Sequence, residues 1–167
     1  SVSTTRRFRW RLLWRRRRFL QITTGGNGMK LTKRAAILKK TLAKYEGRSF
    51  DWSTGATCIH LVRTHLKNMG HKVPMVPRFR TALGAKKALL TTGHDNLESL
   101  LDAHLERIPP AMMLIGDIAL LEGEADEVSF DAAVVSAGAG GKVFGWHPDA
   151  PVFANLEPLA IKAAWRA

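Results

Sequence analysis

The sequence predicts an α+β domain in which helices come first and strands follow. Two observations carry this reading. Up to about residue 105, apolar residues recur every three or four positions, the spacing of helices with one buried face. Beyond Pro109-Pro110 the apolar segments shorten to strand length and are separated by glycine-rich turns. Because the two kinds of element are segregated, the expected sheet is a small antiparallel one, or a partial barrel, covered by the N-terminal helices. At 167 residues a single domain is the default, with enough chain to bury a core.

The first helix is expected from Leu31 to Tyr45, where Leu31, Ala35, Leu38, Leu42 and Tyr45 share a face and Lys33, Arg34, Lys39, Lys40 and Lys44 lie elsewhere. Gly47 is its stop signal. A second helix runs from about Cys58 to Met69, closed by Gly70, with Cys58, Leu61, Val62, His65, Leu66 and Met69 facing inward and His60 pointing away. The connector His71–Arg80 carries two prolines and leads to a third helix, from about Thr81 to Leu90, with Thr81 as N-cap. Asp95, with Glu98 three residues later, resembles a capping box for a fourth helix whose stripe is Leu97, Leu100, Leu101 and Leu105, ended by Pro109-Pro110. Gly116-Asp117 is a turn into the strand Ile118–Leu121. Further strands are expected at Val128–Ser136, Lys142–Trp146, Val152-Phe153 and Ala163–Arg166, with His147-Pro148-Asp149 as a turn. The run Gly138 to Gly141 is too loosely spaced for a dinucleotide fingerprint and follows no βαβ unit, so it is a turn.

Charge is distributed unevenly. The net charge is +12, yet twelve of the fourteen acidic residues lie after residue 87. Residues 1–28 hold eight arginines and no acid, interleaved with aromatics from Arg6 to Leu20. Such an arm, with Arg15, Arg16, Arg17 and Arg18 at its centre, suits nucleic acid or anionic lipid, since arginine neutralises phosphate and aromatics stack on bases. The simpler expectation is a dispensable extension, with the domain spanning residues 29–167. Arginine interrupts every apolar run before a secretory h-region could form. No run approaches the roughly 20 apolar residues of a membrane span.

The only cysteine, Cys58, stands where the second helix begins, after a polar loop carrying Phe50, Asp51 and Trp52. A thiol at a helix N-terminus meets the positive end of the helix dipole, which favours the thiolate and hence a nucleophile. The bland alternative is a small core hydrophobe. One cysteine excludes an internal disulfide and points to a reduced compartment. His65 lies two turns further along, roughly 10 Å by the helical rise, too far to act as a direct base and more simply a satisfied core histidine. The six histidines include no pair at a recognised metal-ligand spacing. No metal and no cofactor are expected, and the acidic run Glu122–Glu127 is a solvated connection.

Gly55-Ala56-Thr57-Cys58-Ile59-His60-Leu61-Val62 matches at Gly55, Cys58, Leu61 and Val62 the Gly-x-Asp-Cys-Ser-Gly-Leu-Val type motif of NlpC-type cell-wall peptidases, in the papain-like cysteine peptidase superfamily. Phe50-Asp51-Trp52, Arg80-Thr81-Ala82, Ile108-Pro109-Pro110, Gly116-Asp117 and Ala164-Trp165-Arg166 further resemble a group of short phage- and prophage-encoded proteins that look like divergent members of that fold. The resemblance implies a papain-like NlpC-type domain over residues 31–167. It also implies association with other phage tail proteins, in the virion tail or in the host cytoplasm during assembly. Departures accompany the matches. Thr57 replaces the Asp before the cysteine, and the strand where the family carries its base histidine reads Phe130-Asp131-Ala132-Ala133.

Two functions from different classes follow from the resemblance. A structural or assembly component with a degenerate site is favoured, because the expected histidine is missing. The alternative is a cysteine peptidase in which Cys58 attacks a peptidoglycan peptide carbonyl, with Asp131 or His147 as base and Trp52 and Asp51 contacting substrate. A third reading is nucleic-acid binding through Arg15–Arg18 and the basic face from Lys30 to Lys87.

Overall fold

A computed structural model describes residues 28–123, 130–138, 140–148 and 150–167 of the chain. Arg15–Arg18 and the rest of the arginine-rich arm lie outside the described residues. Four helices, α1 (Leu31–Tyr45), α2 (Cys58–Asn68), α3 (Ala82–Leu90) and α4 (Leu97–His104), precede the main run of strands. The strands are β1 (Glu106–Ile108), β2 (Ile118–Leu121), β3 (Ala132–Ser136), β4 (Val143–His147), β5 (Ala150–Leu156) and β6 (Ala163–Arg166). They form one sheet in the order β1-β6-β2-β3-β4-β5, antiparallel throughout. The α+β expectation of helices followed by an antiparallel sheet therefore holds, and the sheet is open, with β1 and β5 at its edges.

Local chemistry explains most boundaries. Thr57, Thr81 and Asn96 cap α2, α3 and α4, each accepting a bond from the backbone N–H three residues on. The cap of α4 is thus Asn96, not Asp95: Asn96 Oδ1 accepts from Ser99 N at 2.7 Å. That helix stops at His104, before the prolines, and Glu106–Ile108 pair with Arg166–Ala164 as β1. The sequence conceals this strand because it is only three residues long and has a single buried side chain, Ile108. β3 begins at Ala132 rather than Val128, and His147 closes β4 instead of opening a turn. β5 is longer than its apolar pair Val152-Phe153 suggested, since an edge strand needs little hydrophobicity.

Sequence periodicity misplaced the inward face of α1. Its buried residues are Arg34, Leu38, Thr41 and Tyr45, while Leu31 is half exposed. The spacing of 4, 3 and 4 is helical, but two members are polar, so hydropathy alone points to the neighbouring stripe. Arg34 is fully buried and spans the molecule. Its Nε donates to the Ile115 carbonyl at 2.8 Å, Nη1 to the Ala167 carbonyl at 2.7 Å, and Nη2 to Asp117 Oδ1. Asp117, also fully buried, accepts in addition from Arg166 Nη1 (2.6 Å), Leu114 N (2.7 Å) and Ala167 N (3.1 Å). Each buried charge therefore has an opposite charge and further hydrogen bonds, the condition under which such a pair is tolerated.

His65 completes the seam. It is fully buried, with Nδ1 2.9 Å from Thr41 Oγ1 and Nε2 2.8 Å from the Gly116 carbonyl. A carbonyl only accepts, so Nε2 carries the proton and Nδ1 accepts from the Thr41 hydroxyl, which itself receives Asn68 Nδ2 at 3.0 Å. Gly116 has φ +85°, and a Cβ there would lie 3.3 Å from His65 Nε2, so glycine is required for both the turn and the contact.

One large apolar cluster fills the space between helices and sheet, including Leu61, Leu66, Leu120, Val135, Trp146 and Trp165. A smaller one, around Ala119, Val134, Val143 and Ala164, covers the opposite sheet face. Trp165 is held from α4, with Nε1 donating to Asp102 Oδ1 at 2.9 Å and the Arg107 guanidinium 5.2 Å from its ring.

Two outcomes are expected. Replacing Arg34 by Met leaves Asp117 with a weakened set of partners and lowers stability by about 3–5 kcal/mol, read from urea unfolding. Burial, opposed by the bond to Gly116 and assisted by the nearby Arg34, lowers the His65 pKa from 6.5 to about 4. The unfolded chain then binds this proton more readily than the folded one. The contribution of His65 is complete above pH 6.5 and disappears as pH falls toward 4, about 3 kcal/mol in all. A His65→Gln variant should show a flatter loss of urea midpoint between pH 7 and pH 4 than the wild type.

Candidate functional site

The loop from Glu46 to Thr57 is sewn onto the sheet before it delivers Cys58. Phe50 N donates to the Pro151 carbonyl and Phe153 N to the Arg48 carbonyl, both at 2.9 Å, and Trp146 Nε1 donates to the same Arg48 carbonyl at 2.9 Å. Asp51 makes a local turn, its Oδ1 accepting from Ser53 N (2.8 Å) and Ser53 Oγ (2.7 Å), and those bonds hold its carboxyl below the ordinary range. A bridge between Asp51 and Ala56 closes the loop. Gly55, at φ +77°, then turns the chain into the Thr57 cap; a Cβ there would sit 3.4 Å from the His60 ring.

Aromatic rings run along this loop. Tyr45 meets Trp146 (centroids 5.7 Å apart), Trp146 meets Phe50 (5.9 Å), Phe50 meets Trp52 (5.3 Å), Trp52 meets Phe79 (6.1 Å) and Phe79 meets His60 (4.8 Å). Phe130 touches Trp52 from just before β3 (centroids 5.8 Å apart). Trp52, expected at a substrate surface, is a half-buried link in this row, and Asp51 is occupied by its own turn. His60 is tied down as well, with Nδ1 2.8 Å from Thr57 Oγ1.

Cys58 is the first residue of α2 and lies against β3, with only 7% of its surface exposed. Burial pushes its thiol pKa up. The backbone N–H groups of Ala133, Ile59 and Cys58 itself act in the other direction and are outweighed. This reverses the expectation drawn from the helix N-terminus: desolvation of the thiolate exceeds what the oriented N–H groups return, and the protonated thiol is favoured.

Asp131 and His147, the expected bases, lie immediately before β3 and at the end of β4. Asp131 receives Lys162 Nζ on Oδ2 at 2.7 Å and Gly123 N on Oδ1 at 3.2 Å, a position fixed by the β2–β3 connection and the approach to β6. His147 is exposed at the end of β4, where the β4–β5 register is irregular, and the preceding Trp146 packs into the core that contains Cys58. What faces the sulfur from β3 is the main chain of Ala133. Among the described residues, no group of three His, Cys, Asp or Glu side chains is placed to hold a metal ion, and no helix is long and apolar enough to cross a membrane.

Sequence reasoning missed the best-organised polar group in the molecule, the Arg34, Asp117 and Arg166 cluster with His65 beside it. The available signal was the 34, 38, 41, 45 periodicity of α1 together with the Gly116-Asp117 turn. Its bonds join α1, the turn before β2 and the end of β6, so the cluster holds elements together.

The fold and the site thus define an α+β protein with a buried, protonated thiol at a helix start. The chain belongs to the family described as Domain of unknown function (DUF6950), whose profile matches residues 29–167. No curated protein and no solved structure matches the chain.

If the thiol is buried as described, iodoacetamide should modify native Cys58 more than about tenfold more slowly than a free thiol at the same pH, and at the ordinary rate once the chain is unfolded in urea.

Proposed function

We propose that this chain is a catalytically silent papain-like domain of NlpC type, serving as a structural or assembly component of a phage tail. The observation that supports silence is the surroundings of Cys58: its thiol is buried against the Ala133 main chain of β3, and the residue that the resemblance aligns with the base histidine is Asp131, a carboxylate engaged by Lys162. An alanine main chain cannot remove the thiol proton, and burial keeps that proton on. The helix-start cysteine packed on an antiparallel sheet after a Gly-Asp turn supports kinship with the NlpC type, alongside the motif residues Gly55, Cys58, Leu61 and Val62. Tail association comes from the sequence resemblance to short phage- and prophage-encoded proteins. In this reading, Cys58 contributes apolar packing between α2 and β3.

Two measurements test the proposal. Purified wild-type chain and Cys58→Ala should both leave peptidoglycan suspensions turbid; clearing by the wild type that is lost in Cys58→Ala would establish the hydrolase instead. Deleting the gene from the phage or prophage that encodes it should yield particles with absent or incomplete tails by electron microscopy, with Cys58→Ala restoring them as well as wild type does. Normal tailed, infectious particles without the gene would overturn the assembly role.

A further inference from the structure

The helical half of the molecule contains a cavity of about 120 Å³ whose lining includes Ile59 and Ala133, the neighbours of Cys58, but not Cys58 itself. α2, α3 and α4 form its walls, the connector from His71 to Phe79 forms a side, and Ala133 of β3 contributes to its floor. Almost all of its surface is apolar, as with Val62, Ala88 and Leu101. A dry apolar cavity of roughly 150 Å³ is enough to hold a benzene-sized molecule. This one therefore suits a single aryl or branched alkyl group rather than a long chain.

Its charged lining residues, Arg63 and Lys72, are both cationic, and Thr92, His71 and His104 are its other polar members. No carboxylate among the described residues lines it. Lys72 and His104 are exposed, so the cavity reaches the surface at a basic edge. Among the described residues, neither Arg63 nor Lys72 has an ion-pair partner. The acids of α4 are directed elsewhere: Glu98 and Asp102 both bind Arg107, and Glu98 also approaches Lys162. An apolar recess edged by two permanent cations is complementary to an apolar body bearing one anionic group, which would form charge-assisted bonds to the guanidinium while its body displaces water.

We propose that this cavity is a binding site for a small organic acid, an aryl or branched-alkyl group carrying one carboxylate, with the carboxylate at Arg63 and Lys72 and the apolar body against Ala88 and Leu101. The test is calorimetric titration of the full chain with phenylacetate and with its neutral counterpart, phenylacetamide. Phenylacetate should bind with a Kd on the order of 1 mM or tighter, the range open to roughly ten heavy atoms. It should bind at least about fivefold more tightly than the amide. The Arg63→Gln/Lys72→Gln double variant, whose changes lie away from the core, should remove that preference while leaving the melting temperature unchanged. Ala88→Leu, checked for folding by its thermal melt, should abolish binding of both compounds by filling the recess. Failure of phenylacetate to bind, equal affinity for acid and amide, or preference persisting in the double variant would each overturn the proposal. So would a peptide ending in Phe with a free C-terminus binding more than tenfold tighter than phenylacetate, since that would assign the recess to a partner chain.

Discussion

The ion pair between Arg34 and Asp117 is the constraint on which the architecture depends. Arg34 belongs to the first helix, Asp117 to the turn that starts the central strands, and their joint partners extend to Arg166 and Ala167 in the last strand segment. A buried guanidinium without its carboxylate is strongly unfavourable, so the three segments must meet together or not at all. Apolar packing supplies most of the stabilisation, but it tolerates many arrangements of similar volume. The pair, with His65 bonded to the Gly116 carbonyl beside it, selects one of them. It fixes the roll of α1, the placement of α2 across it, and the entry of the chain into β2.

That same placement decides the character of Cys58. A cysteine at the start of a helix can be a nucleophile or a packing residue, and the difference is set by water and by what stands opposite. Here the aromatic row from Tyr45 to His60 accompanies the loop before α2, and β3 presents its main chain to the sulfur. With the sulfur buried, the N–H groups at the helix start cannot keep the charge on it. A helix dipole is a favourable influence of fractions of a kcal/mol to about 2 kcal/mol, and burial of a charged group readily exceeds it.

Much of the architecture was legible from residues alone, and the failures share a cause. The bounds of α1, the start of α2 at Cys58, the Thr81 cap, and the strands Ile118–Leu121 and Ala163–Arg166 follow from periodicity, capping and turn chemistry, all of which are local. What escaped was set by distant partners. Arg34 and Thr41 are buried because Asp117 and His65 receive them, which no window of sequence can register. β1 exists because β6 lies beside it. In the candidate site, the inward direction of Cys58 was readable from the face it shares with Leu61, Val62 and His65. Its protonation was not, since that depends on burial against β3, whose Ala133 lies seventy-five residues away in sequence.

The position of β6 bears on how the molecule is made. This segment, close to residue 167, is inserted between β1 and β2, and the sheet is in two pieces until it arrives. During synthesis the helices can form locally as they emerge, yet α4 lacks the Trp165 ring that Asp102 holds, and Arg34 waits 133 residues for its Ala167 partner. Completion of the core therefore waits for β6 and is governed by long-range chain closure rather than by helix growth. Until then, β1 and β2 each keep an open edge on which a neighbouring chain can pair.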